Sequence, residues 1–384
     1  MTHQDGNEAV QVPERRRFVR AGIVTTLAAA LPLGLLRPAL AVPTKRTLVP
    51  PVRARGRTVV NVRSSGARGD GVHDDTDAFQ AAIDGLPSGG GTVQVPAGTY
   101  LIDAVRSVRL RDRMHLDLAP QARLVAKPNG ERRAYVLYAF KVADVEISGG
   151  SIQGDRAAHL VTTGEWGHGI QLRGASRVTV RDINIADCWG DGICIGGADQ
   201  QQQTPCEDIV IANVSCRRNR RQGLSIGRSR NVRVHDSEFS DTSGTSPQYG
   251  IDIEPDRPGG ADHVVIENCV IRGNRGGGIQ IFRRVTNVTI KDCLIEKNRG
   301  RGILSVGAQD GLIVGNVIRD NGLVGVALRD KTQGYQVNAN RFANNEARTP
   351  GKSAMHKVAN PSASAVRTAP DTRAISMTGN SYDR

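Results

Sequence analysis

Large side chains are scarce in this sequence. Aromatic residues make up 4% of its 384 positions and only two are tryptophan, which disfavours a globule built around bulky side chains. Beyond the N-terminal region no apolar run is long enough to cross a bilayer. The six cysteines (Cys188, Cys194, Cys206, Cys216, Cys269 and Cys293) have no zinc-ligand spacing, so a zinc ribbon or finger is excluded. They read as small buried apolar residues, with disulfides optional. No leucine framework is present, against leucine-rich repeats, and the glycines have no period of three, which excludes collagen. Disorder is excluded as well, because charged residues are 23% and apolar ones 39%. What is plentiful is glycine, 44 residues, which suits tight turns and small stacked side chains. The formal charge is +13, but nearly all the basic residues are arginine, so the charge is read as compositional rather than as a nucleic-acid footprint.

The N-terminus reads as an address. Arg15-Arg16-Arg17-Phe18-Val19-Arg20 precedes an apolar stretch from Ala21 to Leu36, and Ala39-Leu40-Ala41 is a small-x-small cleavage pattern. Residues 1–41 are therefore expected to be an export signal resembling the twin-arginine type, with a periplasmic or secreted product and no membrane span once it is removed. Residues 42–56, with Pro43, Pro50 and Pro51, are expected to be a linker.

The chain repeats. Short β-branched segments recur at Val178, Ile209, Val232, Val264, Val288 and Leu312, in steps of 31, 23, 32, 24 and 24 residues, with an upstream match at Val145. A second track runs Gly169-Ile170, Gly192-Ile193, Gly223-Leu224, Gly250-Ile251, Gly278-Ile279, Gly302-Ile303 and Gly325-Val326. A third places Asn219, Asn274, Asn298 and Asn321 four residues before that glycine. Several short strands at a period of about 23 residues describe a solenoid of stacked coils. Asn and Gly suit its sharp corners, and Cys269 should stack on Cys293 one coil away. The longer steps carry extra loop, where a solenoid builds its site.

The N-terminal section differs. Val59-Val60-Asn61-Val62 is a strand, followed by Gly66-Ala67-Arg68-Gly69-Asp70-Gly71 and then a helix over Asp75–Leu86 with Phe79, Ala82 and Ile83 on one face. Gly89-Gly90-Gly91-Thr92-Val93-Gln94-Val95-Pro96-Ala97-Gly98 completes the segment. These motifs resemble the N-terminal segment of the pectate lyase superfamily, which includes polygalacturonases, rhamnogalacturonases, alginate epimerases and phage tailspikes. The resemblance implies an all-β, right-handed single-stranded parallel β-helix over 57–345. A cap at 57–102 would plug its end, with Asp74 and Asp75 structural. Residues 346–384 are expected to be a loose excursion, with Ile375-Ser376-Met377 returning as a last strand.

Chemistry is expected between residues 165 and 257. In Gly250-Ile251-Asp252-Ile253-Glu254, a period of two sends the isoleucines inward and Asp252 and Glu254 outward, about 6–7 Å apart at the backbone. The same phase gives an outer row of Gln171, Cys194, Ser225, Asp252 and Gln280, and a second of Arg173, Gly196, Gly227, Glu254 and Phe282. Asp191, Tyr249, Asp252 and Glu254 are expected to share one face as catalytic residues. Arg220, Arg221, His168, Gln222, Trp189 and Asp256 are expected to bind substrate. Two outward carboxyl groups on a groove suit glycoside cleavage; the clustered acids alternatively suit calcium. No cofactor is otherwise expected.

Polygalacturonases carry Gly-Asp-Asp, Gly-His-Gly with Ser-Ile-Gly, and Arg-Ile-Lys on successive coils. The chain resembles this order with Gly190-Asp191-Gly192, Gln222-Gly223-Leu224-Ser225-Ile226-Gly227 and Asp252-Ile253-Glu254, so one Asp matches while Gln222, Asp252 and Glu254 depart. Alginate epimerases share Tyr249-Gly250-Ile251-Asp252 in part. The expected function is cleavage of an acidic, pectin- or alginate-like polysaccharide. One alternative is a uronate lyase or epimerase with Tyr249 as proton donor; another is a non-catalytic carbohydrate-binding β-helix. Neither nucleic acid nor membrane is an expected partner, and the sequence leaves the oligomeric state open.

Overall fold

The computed structural model describes residues 48–199, 204–346 and 364–383. The export signal expected at 1–41 lies outside the described residues. Among those described, the chain winds into a parallel β-helix of three sheets, two of twelve strands and one of ten. The first sheet runs from Thr58–Asn61 to Ser376–Thr378, the second from Asp70–Asp74 to Ser381–Asp383 and the third from Val108–Arg109 to Val366–Thr368.

Each sheet is parallel and in register because one apolar residue per coil stacks on its equivalent. In the third sheet Ile170, Ile193, Leu224, Ile251, Ile279, Ile303 and Val326 form one ladder, each 0% exposed. Fully burying each such side chain contributes roughly 1.5–3 kcal/mol, so the ladder fixes register against a one-residue slip. In the first sheet Val178, Ile209, Val232, Val264 and Val288 stack as the repeat predicts. The last step differs: Gly311, not Leu312, pairs with Val288. A Cβ on Gly311 would come within 2.2 Å of the buried Tyr335 ring, so the ring takes the space that a side chain fills elsewhere.

The corner role expected of the Asn track falls to other residues. Arg218, Gly273, Lys297, Asp320 and Asn344, each one residue before an asparagine (Asn219, Asn274, Asn298, Asn321 and Asn345), hold positive φ angles. The asparagines turn inward instead. Asn298 Oδ1 accepts the Asn274 N–H at 3.1 Å and the Asn274 Nδ2–H at 2.8 Å, and Asn298 Nδ2 donates to Ile271 O. Asn321 and Asn345 continue the ladder, while Asn316, Asn340 and Asn380 build a second one. These amides satisfy buried backbone groups where the chain turns out of the sheets. Cys269 and Cys293 stack as buried free thiols.

The cap helix spans Thr76–Asp84 and buries Phe79, Ala82 and Ile83 completely. It stands where the third sheet has no strand, beside Val108–Arg109. Asp75 accepts the N–H groups of Arg68 and Gly69 at 2.7 and 3.0 Å, and Asp74 accepts that of Thr76, so the acidic pair builds the turn. Two expectations change. Residues 48–56 are not a free linker: Arg53 Nε donates to Thr179 Oγ1 at 2.8 Å and its Nη2 to Val178 O and Asp208 O, and Arg55 ion-pairs with Glu146. Residues 364–383 are not a loose excursion with one strand. Val366–Thr368, Ser376–Thr378 and Ser381–Asp383 add to all three sheets, since Ala365, Asn380 and the neighbouring backbone repeat the coil pattern.

Candidate active site

The third sheet presents its outer face to a groove of about 630 Å³. Strand alternation places its floor. Gln171, Cys194, Ser225, Asp252 and Gln280 occupy one row in successive register. Beside them Arg173 pairs with Gly196, and the row continues through Gly227 to Glu254. A Cβ on Gly196 would meet nothing within 4 Å. Backbone packing does not require a glycine there, and its absent side chain leaves the floor open.

Two carboxyl groups in the groove are held in different environments. Asp252 is 2% exposed. Gln222 Nε2 donates to its Oδ2 at 2.8 Å and Gln280 Nε2 to its Oδ1 at 3.2 Å. Gln222 is itself oriented by accepting the Tyr249 N–H at 2.8 Å. Among the described residues no cation contacts Asp252, and burial, reinforced by the charge of Glu254, pushes its pKa to about 8. Asp191 is 0% exposed but fully partnered. Ser225 Oγ donates to Oδ2 at 2.8 Å, and Arg221 Nη1 lies 3.4 and 3.3 Å from the two oxygens. Burial works against the Arg221 charge, but Asp191 and Glu165 outweigh it and raise its pKa. Glu254 and Asp256 stand exposed at the rim.

His168 is neutral. Its Nδ1 accepts the Asp191 N–H at 2.9 Å, so Nε2 carries the ring proton, and burial lowers its pKa. The 3.6 Å approach of Nδ1 to Asp191 Oδ2 is therefore not an ion pair. The ring stacks on Tyr135 at 5.5 Å.

The structure thus brings Asp191, Asp252, Glu254, Asp256, His168 and Arg221 to one groove. Gln222 lies beneath it, holding Asp252. Three expected site residues lie elsewhere. Tyr249 does not share the acidic face. Its ring passes over Gly277 and packs with Leu304, Val324 and Ala327, its hydroxyl bonding Arg301. Arg220 lies on the Trp189 ring at 3.8 Å and donates to Gly164 O at 2.7 Å. Trp189 also stacks on His159 at 4.0 Å. That stack ties down the loop before Trp166 and leaves neither side chain for substrate. Glu165, Trp166, Arg133 and Tyr135 line the groove without having been expected there. Tyr135 pairs with His168 one coil downstream, so extending the outer rows upstream finds it.

This architecture is that of the right-handed parallel β-helix proteins of the pectate lyase-like superfamily. Residues 143–357 match the family described as "Periplasmic copper-binding protein (NosD)", and the chain belongs to that family. Residues 59–116 match "Rhamnogalacturonase A/epimerase, pectate lyase-like". The chain is 32% identical to the uncharacterized protein YclG of Bacillus subtilis over 68% of its own length and 49% of the relative's. It spans about half or less of the curated relatives it matches. Among solved structures it resembles the A-module of mannuronan C-5 epimerase AlgE4 from Azotobacter vinelandii, with a TM-score of 0.57, 17% identity, and coverage of 85% of this chain and 97% of that one. It also resembles the Streptococcus pneumoniae surface adhesin PfbA, with a TM-score of 0.60, 17% identity and coverage of 85% and 93%. These likenesses show the fold.

The family's description raises copper. His168, Asp191 and Cys194 bring three donor atoms within 4.8 Å of one another, and nitrogen and sulfur donors suit copper. Their surroundings do not. The Arg221 guanidinium already neutralises Asp191, His168 Nδ1 is engaged by a backbone N–H, and burial raises the Cys194 thiol pKa, keeping it protonated. The residues do not fit a cation. Calcium at Asp252, Glu254 and Asp256 meets a similar obstacle, because both Asp252 oxygens face amide N–H groups. Adding copper(I) or calcium, or a chelator, is expected to leave the melting temperature unchanged. A saturable rise with either ion contradicts this reading.

Proposed function

We propose that the chain is an exported enzyme that hydrolyses glycosidic bonds in an acidic polysaccharide, with Asp252 as general acid. One observation carries the reading: Asp252 is buried with no cation against it among the described residues, which pushes its pKa up to about 8, in the same groove in which Asp191 is paired with Arg221 and Ser225. A carboxylic acid kept protonated beside ionised neighbours is the arrangement that glycoside cleavage needs. Asp252 gives its proton to the glycosidic oxygen as the bond to the anomeric carbon breaks. Glu254, just past the end of the strand that carries Asp252, takes a proton from the water that attacks that carbon. Arg133, which lines the groove and makes no ion pair among the described residues, offers positive charge to a uronate carboxylate, whereas Arg221 is already paired with Asp191 and Glu165. Elimination with Tyr249 as acid has less support, since its ring lies outside the groove. The family's periplasmic description agrees with export, and no helix among the described residues is long and apolar enough to cross a membrane.

The test is an assay of the purified protein on polygalacturonate, alginate and neutral glucans. New reducing ends are expected on an acidic polymer, without the near-ultraviolet absorbance of unsaturated products. Gly196→Phe, which fills the open floor, is expected to abolish cleavage while leaving the melting temperature unchanged. Unsaturated products would show elimination instead, and binding without turnover would show a binding protein.

A further inference from the structure

An aromatic cluster lies on the same sheet face, upstream of the acids. The strand Arg133–Phe140 turns Tyr135, Tyr138 and Phe140 outward. Tyr135 and Tyr138 have ring centroids 5.4 Å apart, and Tyr138 and Phe140 5.9 Å apart. Phe140 is 43% exposed, an unusual position for a phenylalanine beside a polar groove. In a chain so poor in aromatics this concentration needs a reason, and folding does not supply it: the inward side of the strand is already filled by Val136, Leu137 and Ala139, all buried.

Register ties the cluster to the acids. Tyr138 pairs with Gln171, Gln171 with Cys194, Cys194 with Ser225 and Ser225 with Asp252. Four steps of ~4.8 Å put Tyr138 about 19 Å from Asp252 along the helix axis. In the adjoining row Phe140 pairs with Arg173, and Arg173 with Gly196. Beyond Gln171 and Arg173, the small residues Cys194, Ser225 and Gly196 floor the path to the acids. Cations flank the rings. Arg109 pairs with Tyr138 in the next coil upstream and Arg173 with Phe140 in the next downstream. Neither guanidinium makes an ion pair among the described residues. Lys141 lies over the Phe140 ring at 5.5 Å from its centroid.

We propose that Tyr138 and Phe140, with Arg109 and Arg173, form a subsite for a uronate residue of the polysaccharide about four coils upstream of the bond to be cleaved. It rests on the reading of the groove as a site for an acidic glycan. The ring faces take the C–H face of a pyranose, and a guanidinium that makes no ion pair takes its carboxylate by N–H bonds. The polymer then lies along the helix axis with about one sugar per coil, and a ligand must be four or five units long to reach both ends.

The test is calorimetric titration with oligogalacturonates and oligomannuronates of two to eight units. Affinity for one series is expected to rise with length and level off once the oligomer spans both ends. The double variant Tyr138→Ala/Phe140→Ala, and separately Arg173→Gln, should weaken binding of the hexamer by about tenfold or more and leave the dimer unaffected. Tyr138→Phe, which keeps the ring, should bind like the wild type, and unchanged melting temperatures show that each variant folds. Affinity independent of length, equal loss for dimer and hexamer, or no binding of either series overturns the subsite. Equal binding of neutral cello-oligosaccharides overturns its preference for uronates. If length-dependent binding persists but no glycosidic bond is cleaved, the hydrolytic reading fails and the subsite stands.

Discussion

Asp252→Asn is expected to reduce glycan cleavage by about 10²–10⁴-fold and, at neutral pH, to make the protein more stable. Both effects have one cause. The folded state holds a proton on Asp252 up to about pH 8, whereas the unfolded chain releases it near the ordinary 3.8. Between those values the unfolded state binds fewer protons, so stability falls as pH rises through the window. At pH 7 this is on the order of 4 kcal/mol against the fold. Asparagine cannot titrate, and its amide fits between Gln222 and Gln280 if Gln280 turns its carbonyl inward. Thermal unfolding from pH 4 to 9 should therefore show the variant gaining on the wild type as pH increases. A constant difference across that range would mean that Asp252 is ionised and solvated in the fold. A general acid also requires activity to decline above about pH 8, as Asp252 loses its proton.

Arg221→Met is expected to be the most destabilising change in the groove. Asp191 is fully buried, and without Arg221 its carboxylate keeps only Ser225 as a side-chain donor. Leaving a buried charge unpaired costs about 3–5 kcal/mol. The signature lies in the rescue: Arg221→Met/Asp191→Asn should recover much of the loss, because the uncompensated charge goes with the carboxylate. Chemical denaturation of the single and double variants reads this directly. Equal instability in both would show that Arg221 acts through packing rather than through Asp191. Arg221 also lowers the Asp252 pKa, so its removal should move the alkaline limb of stability to higher pH.

The coil itself is plainly written in the residues. Every Gly-apolar pair of the second track falls at the expected register, and both outer rows that include Asp252 and Glu254 stand as the period of two predicts. What strand phase cannot convey is where a long side chain goes once it leaves the sheet. Tyr249 swings downstream because Gly277 offers no side chain to stop it, and Arg220 turns away because Trp189 and the Gly164 carbonyl attract it. The state of Asp252 was equally hidden. It depends first on burial, which no single segment encodes, and then on the nearby charge of Glu254, against which the amide of Gln280, from the next coil, works. Tyr138 and Phe140 escape the repeat for a simpler reason: their coil has Val136 in place of the glycine that marks the others, so the track that finds the groove stops one coil short of its aromatic end.

The acidic groove stands or falls on the proton at Asp252, and carbon NMR of its side-chain carboxyl measures it directly. Labelled wild-type protein, with Asp252→Asn to assign the signal, would be followed from pH 4 to 10. A titration centred near pH 8 is the predicted result. A midpoint in the ordinary carboxylate range, below about 5, would show Asp252 ionised at neutral pH and would contradict its role as the acid.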